Sequence, residues 1–157
     1  MDDISLARAV HVLAILHWFG GVAFVATVVL PTVSGLTEPA RRLAMFEAVE
    51  RRFAAQVRFT VPLAGLSGAY MAERLDLWPR FVEPAGWWLA AMAIVWLLFM
   101  AILFVLEPLV LHAWFTRRAL ADPDGSFALV RRLHWLLLAA GLVTAGAGIL
   151  GAHGMLG

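Results

Sequence analysis

Five histidines stand in a chain rich in apolar residues, at His11, His17, His112, His134 and His153, together with a glutamate, Glu107, and an arginine, Arg58, set within apolar runs. Ionisable side chains inside a bilayer are costly; they face the protein interior and mark functional sites. Imidazole ligates haem iron and transition metals alike. His112 and His134 each fall within about 5–10 Å of one membrane boundary at 1.5 Å rise per residue, on helices joined by a short loop. They are candidates to share one iron. His11 and His153 lie toward the opposite boundary and His17 near mid-membrane. His11 and His17 differ by six positions, about 120° on a helical wheel, so they are expected to serve different neighbours. Arg58 and Arg132 are candidate cations for haem propionates. Glu107, followed by Pro108, is a candidate proton-relay carboxylate, metal ligand, or ion-pair partner of Arg58.

Around His17 stand Ala14, Gly20 and Gly21, and after His134 come Leu138, Gly141, Ala145 and Gly148. Stripes of small residues admit either a close helix or a flat macrocycle. Cysteine is absent from the sequence. Thiolate metal sites, iron–sulfur clusters, disulfides and covalently attached haem are thereby excluded, and His, Met and carboxylates remain as ligands. No phosphate-cradling glycine loop and no methionine array are present, and Ser67 has no histidine nearby in sequence.

The elements that must carry these residues are helices in a membrane. Of the 157 residues, 62% are hydrophobic, and the mean hydropathy is +0.85, well beyond soluble composition. Twelve basic residues, all arginine, against 11 acidic ones leave no excess of the kind that binds nucleic acid. Residues 9–37 carry no Asp, Glu, Lys or Arg, and Pro31 is expected to close this first helix. The acidic start is unlike a signal peptide, so the run is expected to persist as a span. The reading is all-α, a single membrane domain over 1–157 forming a four-helix bundle, with helices at about 8–31, 53–73, 85–115 and 127–152. The second span must include Arg58 to be long enough. Between the spans come a polar loop over 38–52, a link over 76–84, and a turn at 121–126 in which Ser126 is expected to cap the last helix.

Arginines 41, 42, 51, 52, 117, 118, 131 and 132 all fall at one side. The positive-inside rule makes that side cytoplasmic and both termini periplasmic, in a bacterial inner membrane. Trp78, Trp87 and Trp88 on the outer side and Trp114 and Trp135 on the inner suit interfacial belts.

The segments Arg8–Gly21 (with His11, Trp18, Gly20 and Gly21), Glu50–Ala54 and Gly65–Gly68, together with Gly86-Trp87-Trp88 and Leu111–Arg117, resemble the membrane superfamily of copper resistance D proteins and four-helix protoporphyrinogen oxidases. The resemblance covers most of the chain loosely and implies a haem b binder with a first-helix histidine as ligand. Where the oxidases carry His and Lys near the start of the third helix, this chain has Leu89, Ala90 and Ala91. The expected function is a membrane haem b protein with one or two haems, passing electrons between a quinone or a partner protein. Homodimerisation is a further expectation. The alternatives are a copper- or metal-handling protein using His11, His17 and Glu107, and a porphyrinogen-oxidising enzyme.

Overall fold

The computed structural model describes residues 2–156. Its architecture is all-helical, with four long rods: α1 (Asp3–Ser34), α2 (Pro39–Arg74), α3 (Pro84–Ala121) and α4 (Pro123–Ala152). Successive helices pack on one another, and α1 also packs on α4. Three of the four, α1, α3 and α4, are long and apolar enough to cross a membrane. Their outward residues are apolar too, with Leu13, Leu109 and Ile149 exposed at 65%, 74% and 64%. In water such a girdle would be an association surface; hydrocarbon covers it without cost.

Several boundaries differ from the sequence expectation, each for a physical reason. Pro31 does not end α1, which continues to Ser34. The wider π turn at Val25–Val29 just before it accommodates a ring that lacks a backbone donor. The expected polar loop over 38–52 is instead the first half of α2. Leu43 and Phe46, three residues apart, bury one stripe against Phe115 and Phe127 while Arg41, Arg51 and Arg52 face outward. That amphipathic pattern, in residues of high helix propensity, carries the helix beyond the apolar span. The cap of α4 is Asp122, whose side chain accepts from the Gly125 amide, and not Ser126, which is buried within the first turn.

The core is aromatic. Trp18 stacks on Phe19 with centroids 4.5 Å apart, and the Phe99 ring meets Trp18 edge-on at 4.6 Å. Val57, Val61, Ala64 and Leu138 close around them, so all four helices contribute. Replacing Phe99 by Ala is expected to lower stability by about 3–5 kcal/mol, through the cavity left at the centre. Thermal unfolding in detergent measures it. Trp88 is no belt residue either: it is 5% exposed, and its indole lies over Gly151. The expected interfacial role passes to Trp87 and Trp78, which are half exposed.

Candidate functional site

Glycines decide where helices meet rings. A Cβ on Gly21 would fall on Phe53, on Gly65 on Trp96, on Gly141 on Phe19, and on Gly148 on Met92. These positions of the small-residue stripes hold neighbouring side chains. Gly20 is different: nothing lies within 4 Å of where its Cβ would be. It opens into a groove of about 510 Å³ between α1 and α2, lined by His17, Gly20, Gly21, Phe24, Arg52, Phe53 and Gln56 among others. This lies within the roughly 300–1,000 Å³ typical of small-molecule sites. His17 is exposed on its wall, one turn from Gly20. Along α1 the groove runs from His17 to Val25, about 12 Å at 1.5 Å per residue, with Arg52 and Gln56 on the facing helix.

His11 does not join it. Its Nδ1 donates to the Ala64 carbonyl at 2.7 Å and lies 3.3 Å from Ser67 Oγ, with the ring against Gly68. The imidazole thereby ties α1 to α2, and the missing side chain at Gly68 gives it room. The wheel expectation that His11 and His17 serve different neighbours agrees with this placement.

A second cleft, of about 340 Å³, lies between α2 and α3. Arg58 donates to Glu107 Oε2 at 2.7 Å across it, with side chains 41% and 22% exposed. Of the three roles open to Glu107, the ion pair with Arg58 is the one the geometry displays. Replacing Arg58 and Glu107 by Ala, singly and together, is expected to reveal a coupling of about 1 kcal/mol, the upper range for partly exposed pairs. A double-mutant cycle on thermal stability measures it.

Glu47 accepts from Thr116 Oγ1 at 2.9 Å at the mouth, and Glu50 and His112 stand between mouth and ion pair. Burial, and then the nearby Glu107 carboxylate, push the Glu50 carboxyl above its ordinary range, against the opposing pull of His112 and Arg58. Glu50 precedes the apolar part of α2. A carboxyl raised on folding binds protons more tightly in the folded state, so stability should fall as pH rises from its unfolded value through the raised one. Stability–pH curves of the wild type and of Glu50→Gln check this, the variant being flatter there.

His112 lines this second cleft, whereas His134 lies on α4 with its Nδ1 donating to the Val130 carbonyl of its own helix at 2.9 Å. No hydrogen bond among the described residues joins the two, and His134 lines neither the groove nor this cleft. His153 likewise bonds back to Ile149, at 2.8 Å. Arg132 is exposed and lines neither cleft. Among the described residues no group of three or more His, Asp or Glu is placed to hold a metal ion, so His11, His17 and Glu107 do not converge. Arg52 and Gln56 face His17 without having been singled out as its neighbours. Their signal was the spacing of four on α2, which only the pairing with α1 makes meaningful.

No protein-family model, curated protein or solved structure matches this chain.

Proposed function

We propose that this chain is a membrane-spanning haem b protein, a one-electron carrier whose cofactor lies in the groove between α1 and α2 with His17 as its iron ligand. The observation that carries the reading is the coincidence, in one groove, of an exposed imidazole, an open glycine face and a facing guanidinium. Haem b asks for an imidazole, a flat apolar slot and cations for its propionates. His17 supplies the first, Gly20 with Leu16, Phe24 and Phe53 the second, and Arg52, assisted by the Gln56 amide, the third. When bound, haem supplies a one-electron redox couple. The chain's own residues would hold it: His17 would ligate the iron and Arg52 would pair with the propionates, while the Phe53 ring over Gly21 closes the groove toward the bundle core.

The stretch of α2 over residues 53–73, with Arg58 within it, is the fourth span, forming with the others a four-helix membrane bundle. Phe59 and Leu66 are exposed there at 79% and 68%, as lipid-facing residues would be. Both termini are periplasmic in a bacterial inner membrane, because the arginine-rich ends of α2, α3 and α4 share one side. A quinone or a membrane redox protein is the electron partner. The resemblance to copper resistance D proteins and protoporphyrinogen oxidases contributes scaffold and haem, and neither named activity. Leu89, Ala90 and Ala91 lack the oxidases' side-chain chemistry, and the histidines and Glu107 do not gather as copper handling requires.

The test is a reduced-minus-oxidised spectrum of the full chain purified from membranes, with haem quantified per protein. A b-type α-band at near-stoichiometric haem is expected. A colourless protein, after expression with ample haem, overturns the reading.

A further inference from the structure

The cleft between α2 and α3 lies apart from the haem groove and has its own chemistry. Its α2 wall carries Glu47, Glu50, Ala54 and Arg58 at spacings of three and four, one continuous stripe about 16 Å long at the helical rise. Facing it on α3 are His112 and Glu107, so groups able to exchange protons follow one another from the arginine-rich end inward. The stripe stops at the Arg58–Glu107 ion pair. Beyond it the two helices close through apolar contact, where Trp96 packs on Gly65 and its indole donates to the Val61 carbonyl at 2.9 Å. The polar lining of the cleft therefore ends at the ion pair.

The backbone at the ion-pair end is irregular. Glu107 and Pro108 sit within a ten-residue π-helical stretch, Ile102–Leu111, in which proline removes an amide donor. Such stretches recur at kinks and at functional sites. The ion pair joins two partly exposed side chains, which can part by rotation with α3 intact.

We infer that this cleft is a proton-loading site, in which a proton from the arginine-rich end enters by way of His112 and Glu50 and is shared with Glu107, releasing Glu107 from Arg58. The proton from water adds to a carboxylate oxygen and converts it to a neutral carboxyl, and the charge-assisted bond from Arg58 Nη2 to Glu107 Oε2 breaks. Nothing is oxidised or reduced. Arg58, then unpaired, can extend toward the mouth, as long cationic side chains near the membrane boundary do. The groups facing the shared proton are Glu47, Arg51 and Arg58 from α2 and His112 from α3, so its affinity is a property of the set.

Infrared difference spectra of the full chain reconstituted in lipid, recorded from acid to alkaline pH, test this without reference to haem. The expected result is a protonated-carboxyl absorption that persists above the ordinary carboxylate range of about 4.3. Its midpoint should move by at least about one unit, a tenfold change in proton affinity, in Glu50→Gln and again in Glu107→Gln. Glu38→Gln, at the exposed start of α2, should leave it unchanged. Glu50→Asp keeps a carboxyl and should retain the absorption, which separates loss of the proton site from loss of fold. The inference is overturned if no such absorption survives above the ordinary range in the wild type, or if the midpoint answers to only one of the two carboxylates.

Discussion

His17→Ala should abolish the haem binding proposed for the groove between α1 and α2. The groove offers one histidine, so nothing on its walls can take the place of that ligand. Even changes outside a metal's direct ligands lower affinity by about 10–100-fold, and removal of the ligand itself should exceed the upper figure. The measured quantity is the b-type absorbance per protein after purification, together with haem titration into the purified apoprotein. His112→Ala and His134→Ala should keep the absorbance, because His112 lines the other cleft and His134 lines neither. His11→Ala should keep it as well, while loosening the α1–α2 contact at Ala64. Retention of full absorbance in His17→Ala would refute the assigned ligand. Arg52→Ala offers a graded companion, with haem still bound and its affinity reduced, since a propionate partner contributes less than an iron ligand.

Gly141→Leu is expected to be strongly damaging to the fold. Its Cβ would fall inside the Phe19 ring, and the isobutyl group would have to displace a ring stacked on Trp18 and edge-on to Phe99 at 5.8 Å. Overpacking a core costs typically about 1–3 kcal/mol, and a clash with a locked three-ring cluster belongs at or above the top of that range. The expected outcome is a protein that enters membranes but unfolds at markedly lower temperature in detergent, with a size-exclusion profile shifted to aggregate. Gly146→Leu is the control on the same helix: nothing lies within 4 Å of its Cβ position, so it should behave as the wild type. Equal behaviour of the two variants would mean that α4 does not pack on α1 as described.

The two predictions show where sequence reading reaches and where it stops. The stripe Gly141, Ala145, Gly148 was legible as a close-packing surface, yet so was the pair Gly20 and Gly21, and both readings, helix or macrocycle, were open for each. Gly141 receives Phe19 and Gly21 receives Phe53, whereas Gly20 receives nothing. A missing side chain announces that something can approach, and only the partner helix determines whether something does. For the same reason the ion pair of Arg58 with Glu107 was legible as one alternative among three: two opposite charges at matching depth can meet, but their meeting depends on the rotation of α2 and α3 about their axes.

The sequence by itself determined the helical character of the chain, the three apolar rods, the absence of thiol chemistry and the gathering of arginines at one end. These follow from composition and from runs of residues along a single helix, where the period and length of the pattern suffice. It also led to one wrong element, the polar loop over 38–52, because an amphipathic helix extending past the apolar run carries its signal in only a few positions, Leu43 and Phe46 chief among them. The tertiary structure decided what each histidine faces. It set His11 on a carbonyl, His17 on an open groove, and His112 on the second cleft. Those outcomes rest on how one helix is rotated and raised against the next, a balance of contacts summed over both surfaces that no single stretch of residues contains.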